Sequence, residues 1–252
     1  MSAGRLYLLD VEGTVAPLTL TTEMLFPYAR KHFKEFLSEN VEDPGVREDL
    51  IQLAEENRAE IDPSSPRIMG APGPSHLGTR ESASADVATE EALSYLLWLM
   101  DRDRKSTALK SLQGKIWKAG FESGELKGTV FLDVPPAFSR WAANGKVAIY
   151  SSGSVDAQKL FFRHSSAGDL TPLIAGYFDT RTGPKFEAAS YQAIAAEMKV
   201  NPGEALFLSD AVRELDAARE AGFETRLTVR PGNPPVDDAR GHAMISTFDE
   251  MG

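Results

Sequence analysis

Two acids close the first apolar run of the chain. They are Asp10 and Glu12 in "YLLDVEGTV", followed at once by Gly13 and Thr14. Three more polar clusters stand further along. "KVAIY" ends in Ser151 and Ser152, with Gly153 next. "ALFL" ends in Ser209 and Asp210, with Glu214 four residues on. "RTGPKFEAASY" places Lys185 just ahead of a helix-like stretch. Cleaving a phosphate ester uses this set of groups: a nucleophile, a cation to neutralise phosphoryl oxygens, donors to hold them, and an acid for the leaving group. Asp10 can attack phosphorus and form an aspartyl phosphate. Asp10 and Asp210 can share a divalent cation, which also lets an anionic nucleophile approach an anionic substrate. Ser151 and Ser152 offer hydroxyl and main-chain donors at a strand-to-helix turn. Lys185 adds a positive charge that can hold both Asp10 and the phosphate, and Gly13 and Gly153 allow close backbone approach. Taken singly, an Asp or Ser at a strand end more often caps the next helix, and a lone Lys is usually solvated. The four together, in order on successive strand–helix units, are a much rarer coincidence.

Composition narrows the choice of metal and partner. There is no cysteine, so disulfides, thiolate nucleophiles and Cys-based zinc sites are excluded. The four histidines are His32, His76, His164 and His242, and no two lie three to five apart, which removes the helical zinc pair. A metal here is expected to be hard and oxygen-bound, which favours Mg²⁺. The net charge of -10 repels a phosphate backbone, so nucleic acid is not an expected partner. No apolar run approaches 18 residues, so no membrane span is expected. The stretch after Arg5 reads as a first strand rather than a leader, so a cytoplasmic protein is expected.

These groups need elements to carry them. Arg5 to Asp10 reads as a strand. Helices are predicted over Thr21–Asn40, Asp49–Arg58, Thr89–Asp101, Thr107–Ala119 and around Ala137–Ala143. The Pro-, Gly- and Ser-rich stretch Asp62–Asp86 reads as a long surface loop. From Lys146 the pattern alternates: strand Lys146–Tyr150, helix Val155–Phe162, a short strand at "YFD", helix Phe186–Lys199, strand Ala205–Leu208, helix Val212–Ala221 and strand Glu224–Val229. That alternation predicts an α/β fold, a Rossmann-like parallel sheet covered by helices. Its site is expected at the carboxyl ends of the strands. The helical stretch between the first strand and the rest reads as an inserted helical cap over 19–127. The catalytic core is then discontinuous, 1–18 and 128–252.

With these residues in place, the chain resembles the haloacid dehalogenase-like superfamily of aspartate-nucleophile phosphatases. It resembles more specifically the enolase-phosphatase E1 family of methionine salvage, which opens on Asp-(Ile/Val)-Glu-Gly-Thr where most relatives have Asp as the second acid. Further segments similar to that family are "LFPYA" at 25–29, "DRKSTALKSLQGKIW" at 103–117, "GELKG" at 124–128, "DVPPA" at 133–137, "YSSGSVDAQKLFF" at 150–162 and "VRPGN" at 229–233. The match covers most of the chain and is poorest over 62–86. The resemblance implies a Mg²⁺-dependent enzyme acting on the phosphorylated diketone 2,3-diketo-5-methylthiopentyl-1-phosphate. The diketone is enolised first, and phosphate is then removed. By position, Asp10, Glu12 and Asp210 match the magnesium site, and Ser151, Ser152 and Lys185 match the substrate-phosphate contacts. The family is described as monomeric, so a monomer is expected.

Some roles stay open. The base for enolisation is either Glu12 or a cap residue. Lys110, Gln113 and Trp117 recur at about one-turn spacing and could face a site together, though Trp117 reads rather as cap core and Lys110 equally as a solvated charge. Phe26 and Tyr28 read as packing residues. Glu214 either supports the metal through water or is a first-turn acid facing the helix dipole. The main alternative is a haloacid dehalogenase-like phosphatase for another small sugar phosphate. A metal-free dehalogenase has no use for Glu12 and Asp210. A non-catalytic binding module should have lost at least one of Asp10, Lys185 and Asp210.

Overall fold

The protein's structure is a computed structural model that describes residues 4–69 and 82–251, with backbone alone over 82–88. Its chain divides into two compact units, residues 1–21 with 121–252, and Thr22–Gly120.

The first unit is built on a six-stranded sheet: β1 (Arg5–Leu9), β2 (Gly145–Tyr150), β3 (Ile174–Phe178), β4 (Ala205–Ser209), β5 (Glu224–Thr228) and β6 (Ala243–Ile245). All pairings are parallel, in the order β3-β2-β1-β4-β5-β6. The central strands are almost continuously apolar because helices cover both faces of such a sheet. Leu6, Leu8 and Leu9 of β1 and every residue of β4 are buried. The chain runs outward from β1 through β2 and β3, then restarts at β4 on the other side of β1. Asp10 therefore lies at the point where strand order reverses, the place where open α/β sheets bind ligands. β6 was not anticipated. With three residues, two of them exposed, "AMI" carries too little pattern to read as a strand.

Helices α5 (Val134–Asn144), α6 (Val155–Arg163), α7 (Ala188–Met198) and α8 (Val212–Glu220) belong to this unit. The second unit is helical. It holds α1 (Phe26–Asn40), α2 (Pro44–Ala59), α3 (Ser82–Asp101) and most of α4 (Thr107–Ser123), around a core that includes Phe33, Leu37, Leu53, Leu96 and Leu112. Three expectations change here. The helix expected from Thr21 is a π-helical turn, Leu20–Leu25, ahead of α1. Residues 70–81 of the expected 62–86 loop lie outside the described residues, but 82–86 are helical. The Gly and Pro cluster ends at Gly78, and "SASADVATEEALSYLLWLMD" contains neither. The unit boundaries also fall inside 19–127. Thr21 is tied to the first unit by its N–H on Glu12, 3.1 Å. Phe121 is buried with its ring 6.0 Å from that of His164, and the Gly128 N–H reaches the His164 carbonyl at 2.8 Å.

One buried ion pair closes the β5–β6 side of the sheet. Arg230 Nη1 donates to Asp133 Oδ2 at 2.7 Å, and the guanidinium lies 4.7 Å from the ring of Phe131 and 4.2 Å from that of Phe248. Burial alone would raise the Asp133 carboxyl. Hydrogen bonds from the Phe248 N–H, Arg230 and Thr247 outweigh it and hold the carboxyl below 3.8. Asp133→Asn leaves the Arg230 charge buried without its partner, so a loss of about 3–5 kcal/mol in unfolding free energy is expected. A carboxylate with a depressed folded pKa stabilises above its unfolded pKa, and that contribution fades as pH falls through the folded value. Denaturant titrations should therefore show a constant gap between wild type and variant above about pH 5, closing at lower pH. A gap that widens in acid would contradict this account.

Candidate active site

Four strand ends lie side by side in the order β3, β2, β1, β4; the last three present sequence-selected groups directly, and Lys185 lies beyond β3, just ahead of α7. Asp10 follows β1 and is held one step beyond the ladder, its N–H donating to the Leu208 carbonyl at 3.0 Å. The chain then folds into a tight turn. The amides of Thr14, Val15 and Ala16 all donate to the Val11 carbonyl, and the Gly13 N–H donates to the Ala16 carbonyl at 2.9 Å. Gly13 has φ +69°, and a Cβ there would fall 2.2 Å from Asp210 Oδ2. Only glycine lets this turn lie against the carboxylate that ends β4.

Asp10 Oδ1 accepts the Val11 N–H at 2.8 Å and Lys185 Nζ at 2.8 Å. Lys185 Nζ also reaches Glu214 Oε2 at 2.6 Å. Burial alone would lower the Lys185 ammonium. The Asp10 and Glu214 carboxylates outweigh it, so the pKa is raised and the charge is locked on. Hydrogen bonds hold the backbone around this lysine. Tyr191 Oη donates to the Lys185 carbonyl at 2.6 Å, Ser190 Oγ to that of Pro184 at 2.8 Å, and Tyr150 Oη to that of Gly183 at 2.8 Å. Glu214 also accepts from Ser209 Oγ at 3.0 Å. Its carboxyl is pushed up by burial and by the charge of Asp10. In this arrangement Glu214 is a partner of Lys185 rather than a bare first-turn acid.

Asp210 is pushed up to about 6, first by burial and then by the charge of Asp10. A buried carboxylate raised by a second one beside it is a setting that a bound cation would relieve. Among the described residues no three His, Cys, Asp or Glu side chains form a ready metal cluster. A cation would be held by the Asp10 and Asp210 side chains and the main-chain carbonyl of Glu12. This all-oxygen set fits hard Mg²⁺. The Glu12 side chain is tethered through one oxygen, Oε1, to the Thr21 N–H.

Ser151 and Ser152 lie after β2, where the Ser151 N–H continues the ladder onto the Phe178 carbonyl at 3.1 Å. Ser151 Oγ accepts the Gly153 N–H, and Ser154 caps α6 through the Ala157 N–H. Ser152 is exposed. Gln158, which the sequence did not single out, donates one amide hydrogen to this loop, at the Gly153 carbonyl (2.8 Å), and the other to the end of β3, at the Phe178 carbonyl (2.9 Å). Its only sequence signal is polarity on an otherwise apolar helix face. In the second unit the expected trio separates: Lys110 is exposed and Gln113 is buried. Trp117 donates to the Leu25 carbonyl and stacks near Phe26, which is a packing role. Tyr28 also packs, filling the space where Gly120 lacks a Cβ.

The model of the haloacid dehalogenase-like hydrolases matches residues 5–222. The chain is 50% identical to an enolase-phosphatase E1 of Synechococcus elongatus, over 97% of this chain and 96% of that one. It is 38% identical to an enolase-phosphatase E1 of Danio rerio, over 98% and 94%. Among solved structures it is similar to the UTR4 protein of Saccharomyces cerevisiae, with a TM-score of 0.75 and 34% identity over 98% and 99% of the two chains.

Proposed function

Because the chain belongs to the enolase-phosphatase E1 family of haloacid dehalogenase-like hydrolases, we propose that it converts 2,3-diketo-5-methylthiopentyl-1-phosphate to 1,2-dihydroxy-3-keto-5-methylthiopentene and phosphate, a step of methionine salvage. The observation that carries this reading is Lys185, buried between Asp10 and Glu214. It orients one carboxylate at the strand end and keeps a fixed positive charge where a phosphoryl group would sit. The likeness to enolase-phosphatases runs through the helical unit as well as the sheet, which supports the diketone over a generic sugar phosphate.

Asp10 is the nucleophile. A carboxylate oxygen bonds to phosphorus, the bond from phosphorus to the substrate's ester oxygen breaks, and Glu12 gives that oxygen its proton. Glu12 then takes a proton from water as it attacks phosphorus and frees Asp10. Mg²⁺, held by Asp10, Asp210 and the Glu12 carbonyl, would neutralise charge on the phosphoryl oxygens. Ser151, Ser152 and Lys185 bind the phosphate. The helical stretch is the part of the chain assigned to substrate selection. Among the described residues no helix is long and apolar enough to cross a membrane. The working form is a cytoplasmic monomer.

The test is phosphate release from the diketone phosphate and from a panel of sugar phosphates, with enol absorbance followed in parallel. A kcat/KM preference for the diketone of about 10²-fold or more is expected, with an enol signal. A sugar phosphate turned over as well as the diketone, with no enol formed, would instead make the chain a phosphatase of another substrate.

A further inference from the structure

The end of β5 and the residues after it, "TVRPGN", take no part in the chemistry above, yet they meet the turn that follows Asp10. Arg230-Pro231-Gly232-Asn233 is a tight turn with Pro second, Gly232 at φ +91° third, and the Asn233 N–H on the Arg230 carbonyl at 3.0 Å. That is the geometry of a type II turn, for which Pro and Gly are suited at those two places. It sets three donors against two carbonyls of the catalytic turn. Asn233 Nδ2 donates to the Gly13 carbonyl at 2.9 Å, and Thr228 Oγ1 donates to the same oxygen at 3.2 Å. Arg230 Nε donates to the Thr14 carbonyl at 2.9 Å. Thr228 Oγ1 also lies 3.0 Å from Thr14 Oγ1. The orientation of the Asn233 amide is fixed by its contacts. Its nitrogen serves both Gly13 and Thr228 carbonyls, and a flip would set oxygen against them.

We propose that Thr228 and Asn233 are positioning residues for the cation-binding turn, acting through the Gly13 carbonyl. The proposal rests on the reading of Asp10, Glu12 and Asp210 as the Mg²⁺ site. The turn has no slack here, because Gly13 lies directly against the Asp210 carboxylate, with Asn233 Oδ1 close to the same face. Holding the Gly13 carbonyl therefore sets the spacing between the turn that carries Asp10 and Glu12 and the acid that ends β4. Partners that orient metal ligands from outside the ligand set are typically worth 10- to 100-fold in metal affinity. A purely structural stitch would affect melting temperature and leave that affinity alone.

The experiment is calorimetric titration of Mg²⁺ into wild type, Thr228→Val, Asn233→Ala and Ile194→Val, with the melting temperature of each. Thr228→Val keeps the shape and removes only the O–H donor. Ile194 is buried in the sheet's hydrophobic core, so its variant reports general loosening. The expected result is Mg²⁺ binding about tenfold weaker in Thr228→Val and Asn233→Ala, with Ile194→Val binding like wild type despite a lower melting temperature. Wild type binding Mg²⁺ with both turn variants within twofold of it overturns the positioning role alone. Equal weakening in Ile194→Val overturns it as well. Wild type that binds no Mg²⁺ overturns the cation reading and this role with it.

Discussion

Asp10→Asn is expected to give a folded protein with phosphate turnover lower on the order of 10⁶-fold, the scale of losing a nucleophile. The amide keeps the hydrogen-bonding geometry, since its oxygen can still accept the Val11 N–H and Lys185 Nζ that Asp10 Oδ1 accepts. It cannot form the acyl phosphate. Lys185 keeps Glu214 as its counter-charge. Removing one of two mutually repelling carboxylates also relieves Asp210, whose carboxyl is pushed up to about 6 partly by Asp10. The variant should therefore melt at or above the wild-type temperature while losing activity, the usual trade at a functional site. Quench-flow with the diketone phosphate, beside a thermal melt, reads both quantities. Near-wild-type phosphate release from folded Asp10→Asn would remove the covalent mechanism.

Glu12→Gln is expected to cost about 10² to 10⁴ in phosphate release, the usual worth of a positioned acid–base group. The competing explanation is that Glu12 merely anchors the π-helical turn at Leu20–Leu25 through the Thr21 N–H. Glutamine separates the two. Its amide oxygen can keep that hydrogen bond, but the group can no longer exchange a proton. A loss in Glu12→Gln with an unchanged melting temperature assigns proton transfer to Glu12, whereas a normal rate limits it to the anchor. Following enol absorbance separately from phosphate tells whether the same carboxylate serves both steps. Enolisation that survives in Glu12→Gln places its base elsewhere.

How legible this site was follows from the range of each contact. Asp10, Ser151, Ser152 and Asp210 were readable because each ends a short apolar run. In a parallel sheet covered by helices, polar residues at those ends gather along one edge. Lys185 was readable only as a member of the set, since one lysine ahead of a helix has no local signature. The strand–helix alternation that places them is a pattern of nearest neighbours and survives in the chain as periodicity. The helical unit was legible for the same reason, except where a Ser- and Ala-rich run was mistaken for loop at 82–86.

What the tertiary structure decided is which distant groups meet. The Lys185 bridge between Asp10 and Glu214, the Gly13 contact on Asp210 and the Asn233, Thr228 and Arg230 donors to the turn after Asp10 have no counterpart in local pattern. The last three span 220, 215 and 216 residues of chain. Periodicity records which face of an element is buried, and composition records where the chain can turn. Neither records which carbonyl a side chain will reach once the strands have taken their order. That order, with β4 returning beside β1, put two carboxylates face to face and raised the pKa of Asp210. Residue types alone could name the acids of this site, but only their burial close together makes them candidates to hold a cation.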